Sequence, residues 1–203
     1  MTTPSVTVGL AGTHHTGKTT IARRIEMELR GLGYTVTCTS GLARRAADLG
    51  FPKMLNHTVA STEWIMAAGA ADALAAGTGA DVVLMDRTPH DALAYLLAAR
   101  DLRGELTDGS ELEVLGLLAD IHTRHHTLLI ATVLDPALPL GEHPRKDPAY
   151  LDQTFRAAVD EHLHHLVADG EVKDRLLPAP SDSADLVVAS AVATITSTLE
   201  AAK

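Results

Sequence analysis

Short apolar runs alternate with longer stretches of helical period along the whole chain. Val6 to Ala11 is an unbroken apolar run and predicts a buried first strand. Ile21, Ile25, Leu29 and Leu32 then recur at helical spacing, and Gly31 and Gly33 mark the end of that helix. Tyr34 to Thr39 alternates and is rich in Thr and Val, a second strand. Gly41 to Leu49 predicts a short helix, broken by Gly50-Phe51-Pro52, and Thr58 to Ala76 a long Ala-rich one that stops at Gly77 and Gly79. Asp81 to Met85 is the third strand. Thr88-Pro89-His90-Asp91 then reads as a helix start, with Thr at the cap, Pro first and an acid three after the cap. Ser110-Glu111-Leu112-Glu113 is a second capping signature, with Leu112, Leu115, Leu118 and Ile121 on one face of the helix behind it. Thr127 to Leu134 is the clearest buried strand. Asp135 to Pro148 holds four prolines and predicts a loop. Asp147-Pro148 is placed to cap the next helix, whose apolar face is Leu151, Phe155, Val159, Leu163 and Leu166. Val172 to Leu177 predicts a fifth strand, Pro178 to Ser181 a turn, and Asp182 to Ala201 a final helix.

Strands that alternate with helices imply parallel β structure with helices on both faces. The expectation is an α/β three-layer sandwich with a five-stranded parallel sheet, built as a single domain over residues 1–203. In such sheets ligands lie beyond the C-terminal ends of the strands. The candidate segments are therefore those just after each strand: Gly12 onward, Ser40 to Arg45, Asp86-Arg87, the loop after Leu134, and Pro178 to Ser181.

Composition narrows the picture. Aromatic residues are only 3% of the 203, so Ala, Leu, Val and Ile must fill the core. The formal charge of −9 argues against a nucleic acid partner, which wants a basic surface. Cys38 is the only cysteine, so no intramolecular disulfide forms, and it is expected to pack as a small apolar side chain. No apolar run approaches a membrane span in this reading, and Met1 to Ser5 lacks a signal-peptide pattern. A cytoplasmic protein with no membrane partner is expected. A homodimer is compatible with the sequence.

The first of these segments carries the strongest chemistry. Gly12-Thr13-His14-His15-Thr16-Gly17-Lys18-Thr19 fits the P-loop pattern G-x-x-x-x-G-K-[ST], after a predicted strand and before a predicted helix. In that context glycines let backbone N–H groups turn toward a phosphate chain, and the helix N-terminus adds partial positive charge. Lys18 is expected to reach the β- and γ-phosphates and Thr19 to ligate Mg²⁺, with Thr20 completing the segment. His14 and His15 occupy its free positions, where the backbone carries the binding.

Asp86 ends an apolar strand on the ligand edge. A carboxylate there can help hold Mg²⁺ or take a proton from an attacking hydroxyl. Arg87, next to it, can stabilise charge on a transferring group. Asp91 reads as a helix cap. Arg145-Lys146 lies in the proline-broken loop, either as a lid over the phosphates or as a solvated charge run. Arg44 and Arg45 follow the second strand, where one can face an anionic substrate group. Trp64 can stack on a planar ring or sit in the core. The eleven histidines include His122/His126 and His162/His165 at helical spacing, but no acid or cysteine completes a metal set, so solvated helix faces are expected.

On these residues the chain resembles the P-loop kinases of nucleosides and nucleotides. More narrowly it is similar to the ribosylnicotinamide kinase-related family described as AAA-type ATPase domains. The resemblance is carried by Gly12 to Thr20, by Leu42-Ala43-Arg44, by Asp86-Arg87-Thr88-Pro89-His90-Asp91-Ala92-Leu93-Ala94-Tyr95, and weakly by Arg145-Lys146-Asp147-Pro148. It implies a nucleotide kinase-like fold with a short lid at about 136–148 and ATP with Mg²⁺ as cofactors. It also implies transfer of the ATP γ-phosphate to a small-molecule acceptor, with Lys18, Asp86, Arg87 and Arg145 in catalysis. Arg44, Asp86 and Arg87 would hold the acceptor, and Thr19 and Asp86 the metal. Relatives commonly carry a glutamate shortly before the arginine of Leu42-Ala43-Arg44. Here Thr39-Ser40-Gly41 stands in that place, which leaves Asp86 as the candidate base. The competing reading is an oligomeric or regulatory ATPase without an acceptor. A GTPase switch is disfavoured, because no guanine-reading Asn-Lys-x-Asp segment exists and Asp101-Leu-Arg-Gly104 matches its D-x-x-G motif by letters only.

Overall fold

The computed structural model describes residues 5–106, 108–137, 148–169, 175–176 and 183–202. All the described strands run parallel. β1 (Val6–Ala11) lies at the centre, with β3 (Val82–Asp86) on one side and β4 (His126–Ala131) on the other, and β2 (Val36–Thr39) pairs outside β3. Within the expected fifth strand the described residues form β5 (Arg175–Leu176), which pairs with Leu129 and Ile130 of β4. Beside this two-residue pairing, the sheet among the described residues has four strands of four to six residues rather than five.

Both faces are covered. Val6, Val8 and Leu10 of β1, Val82 and Leu84 of β3, and Leu128 and Ile130 of β4 meet α1 (Lys18–Gly31) and α7 (Ala184–Ala201). Ala11, Leu129 and Ala131 project to the other side. There they meet α4 (Pro89–Arg103) and α6 (Gln153–Asp169), where Phe155, Val159, Leu163 and Val167 are fully buried. α3 (Val59–Gly77) and α5 (Gly109–Thr123) add a cluster of Met66, Leu93, Leu96 and Leu115 against α4. α2 (Leu42–Asp48) follows β2. Strand residues buried on both sides explain the unbroken apolar runs that marked β1, β3 and β4.

Several local expectations change. α5 is capped by Asp108, whose carboxylate accepts from the Ser110 N–H at 2.9 Å and its hydroxyl at 2.8 Å, so the cap sits two residues before the predicted one. Ile121 is 49% exposed rather than part of the buried face. Pro148–Leu151 is a 3-10 turn and α6 starts at Gln153, with Asp152 accepting from the Phe155 N–H at 3.0 Å. Leu151 is consequently exposed. Cys38 is also exposed, because β2 is an edge strand, and its thiol donates to Glu26 at 3.3 Å. α7 has the length and composition of a membrane span, contrary to the expectation from sequence, yet Val187, Val188, Ala191, Ile195 and Leu199 are buried against the sheet. The predicted turn at Pro178 to Ser181 lies outside the described residues.

Candidate functional site

β1 and β3 pair in register from Val6↔Val82 to Leu10↔Asp86, so the end of β3 lies beside the start of the Gly12–Thr19 loop. The loop leaves β1 through buried Gly12 and enters α1 at Lys18, with Gly17 in the left-handed region at φ 84°. Gly17 provides no side-chain cap, so the first N–H groups of α1 remain available to an anion. An added Cβ at Gly12 would fall 2.0 Å from the Thr132 hydroxyl and 2.8 Å from that of Thr16. Gly12→Ala is therefore expected to cost about 1–3 kcal/mol by overpacking. Differential scanning calorimetry should show a melting point lowered by several degrees.

Lys18 is buried, and its ammonium donates to the Gly12 and Thr13 carbonyls at 2.6 Å each. Burial, and then the nearby Arg87 charge, lower its pKa to about 8, against the pull of Asp91, Asp86 and Asp160. The Thr19 hydroxyl donates to Asp86 Oδ2 at 2.6 Å. These are the hydroxyl and carboxylate that the sequence assigned to the metal, and both are hard oxygen donors that suit Mg²⁺. Among the described residues no group of three His, Cys, Asp or Glu side chains is placed to hold a metal.

Asp91 does more than cap its helix. Its Oδ2 accepts from the Thr88 N–H at 2.8 Å and the Thr88 hydroxyl at 2.9 Å, while its Oδ1 accepts from the Gly12 N–H at 3.1 Å. The start of α4 is thereby fastened to the start of the loop. Arg87 has φ 110°, a strained value for a side-chain-bearing residue, and its N–H donates to the Leu10 carbonyl at 3.1 Å. Its guanidinium lies 5.1 Å from the Tyr95 ring centroid, a cation–π distance. Burial opposes the Arg87 charge, but Tyr95, Asp91 and Asp86 outweigh burial, and its pKa moves up. A cavity of about 300 Å³ runs along His14 to Thr20 and is bounded by Asp86, Arg87 and Tyr150. A larger open cleft of about 1150 Å³ lies where the strands begin, near Thr7, Asp81 and His126, remote from this loop.

The structure thus brings Gly12 to Thr20, Asp86 and Arg87 together. Arg44 is exposed on α2 and does not line the cavity. Arg45 pairs with Asp72 and lies 5.7 Å over the Trp64 ring, which also packs 5.6 Å from Phe51. Trp64 is therefore occupied by its own neighbours. Arg145 and Lys146 lie outside the described residues. The histidine expectations need correction. His126 begins β4 and is buried, not on a helix face, and His162 pairs with Asp101 at 2.6 Å. His14 is no free loop position: it is buried and bonded to Tyr95 and Tyr150.

Sequence reading missed Tyr95, Tyr150 and Arg156 as parts of this neighbourhood. Tyr95 had a signal, since it lies one helical turn after Asp91 and so shares its face. Arg156 is 3% exposed, and its guanidinium reaches the His14 carbonyl at 3.4 Å. No protein-family model matches the chain, and no curated protein is significantly similar to it.

Proposed function

We propose that this chain is a P-loop kinase-like phosphotransferase that moves the γ-phosphate of ATP to a hydroxyl of a small, nucleoside-like metabolite. The observation that carries the reading is the Thr19–Asp86 contact of 2.6 Å beside the buried Lys18 ammonium. A loop that merely turned the chain has no need of a buried lysine and a hydroxyl–carboxylate pair at one strand edge. The loop amides and Lys18 would hold the phosphate chain, and Thr19 and Asp86 would hold Mg²⁺. When bound, that ion supplies neutralisation of charge on the phosphate oxygens. Asp86, which lines the cavity beside the loop, would also take the proton of an acceptor hydroxyl. Arg87, kept charged by its neighbours, is suited to the charge that builds on the transferring group.

The test is ADP release across a panel of nucleosides and other hydroxyl metabolites, with mass detection of a phosphorylated product. A rise of about tenfold or more with one acceptor is expected, as positioning two reactants speeds transfer by at least this much. Slow ATP hydrolysis that no acceptor stimulates would favour the acceptor-free ATPase instead.

A further inference from the structure

His14 has all four of its polar groups engaged by residues distant in sequence. Its N–H donates to the Tyr95 hydroxyl oxygen at 3.1 Å, and its carbonyl accepts from Arg156 at 3.4 Å. Its Nδ1 lies 2.8 Å from the Tyr95 hydroxyl and its Nε2 2.9 Å from the Tyr150 carbonyl. A carbonyl only accepts, so Nε2 carries the proton. Burial lowers the ring's pKa to about 3, so the ring is neutral and Nδ1 is an acceptor. The Tyr95 hydroxyl must then donate to Nδ1. One tautomer satisfies every contact.

The ring contacts extend this arrangement. Tyr150 stacks on His14 at 4.6 Å between centroids and meets His15 edge-on at 4.6 Å. Tyr150 belongs to the Pro148–Leu151 turn and forms one wall of the 300 Å³ cavity. Tyr95 in turn sits on α4, the helix that Asp91 fastens to Gly12. The loop, α4 and the turn are thus tied through one imidazole.

We propose that His14 is a positioning residue that latches the Pro148–Leu151 turn onto the phosphate loop, and that this latch sets how slowly a nucleotide leaves the cavity. The second half rests on the reading that the loop binds nucleotide phosphates. The Tyr95 bond orients the ring, and the Tyr150 bond does the holding. A turn released from His14 removes the Tyr150 wall from the cavity and opens it on that side.

Two substitutions separate these bonds. The amide oxygen of asparagine reaches about as far as Nδ1, so His14→Asn keeps an acceptor for Tyr95 and loses the donor to Tyr150. The amide nitrogen of glutamine reaches about as far as Nε2, so His14→Gln keeps that donor. Hydrogen exchange without nucleotide reads the latch directly. Exchange in the peptide around Tyr150 to Arg156 should quicken about tenfold in His14→Asn, the worth of one net hydrogen bond, and stay near wild type in His14→Gln. Release of the fluorescent nucleotide mant-ADP, followed by stopped flow, should sort the two variants in the same order. A purely structural role would lower both melting points alike and would not distinguish them. Equal exchange in the two variants overturns the latch. Sorted exchange with unsorted release overturns its control of nucleotide residence. Wild-type protein that does not bind mant-ADP overturns the nucleotide reading, while the exchange experiment still decides the latch.

Discussion

Lys18→Met is expected to reduce phosphoryl transfer by about 10²–10³-fold, the usual cost of removing one preorganised donor from charge that develops in a transition state. The same change should not lower the melting point. Folding depresses the Lys18 pKa from 10.5 to about 8, so below pH 8 the folded protein carries the full penalty of a buried ammonium. That shift corresponds to about 3 kcal/mol against folding. As pH rises from 8 toward 10.5 the penalty fades, so wild type should gain stability over that window and the variant should not. Methionine fills the space without the charge, and the Thr13 carbonyl keeps the Thr16 hydroxyl as a donor at 2.9 Å. Activity and stability thus move apart at one residue, as they do where a site is built at the expense of the fold. Coupled-enzyme assay and calorimetry on the same preparation check both. Wild-type turnover in Lys18→Met would remove the basis of the kinase reading.

The second large effect is acid instability. His14, His57 and His126 are all buried, and burial is the foremost cause that lowers their pKa values to about 3, 4 and 4. Arginine charges reinforce it at two of them: Arg87 and Arg103 for His57, and Arg87 and Arg156 for His14. Each group is neutral in the folded and unfolded states above pH 6.5, so all of the stability is present there. Below 6.5 the unfolded chain takes up protons that the folded chain refuses until about pH 4. Each histidine then costs about 2 kcal/mol between pH 6.5 and 5, and the combined slope approaches 4 kcal/mol per pH unit. Asp160, whose pKa burial raises, acts in the opposite direction and blunts part of this fall. Urea midpoints at pH 7, 6 and 5 should drop steeply. His126→Leu should flatten the slope by one proton, because both nitrogens of that ring lack a protein partner among the described residues. A midpoint that holds steady to pH 5 would contradict the burial of these rings.

The loop chemistry was legible because one contiguous stretch carries strand end, glycines, lysine and helix start. Asp86 was legible as the polar end of an apolar run. Their meeting was not, since it depends on β3 lying beside β1 and joins residues 67 apart. The same holds for His14 with Tyr95 and Tyr150, whose contacts span 81 and 136 positions that no periodicity links. At the start of α5 the cap is Asp108 rather than the predicted Ser110, because the Asp108 carboxylate takes both donors of Ser110. Cys38 was misplaced because a Thr/Val-rich run shows that a strand exists but not that it lies at the sheet edge. Of the predicted strand Val172 to Leu177, the described residues Arg175 and Leu176 pair with β4.

The backbone of Arg87 bears on how this protein can change. Glycine would take φ 110° freely, and every other residue is held there at about 1–3 kcal/mol. In a mutational library selected for folding alone, glycine at this position should therefore rise in frequency. Selected for catalysis, it should vanish, because the guanidinium over Tyr95 goes with it. The divergence of two such selections at a single codon would mark position 87 as one the fold tolerates and the site requires.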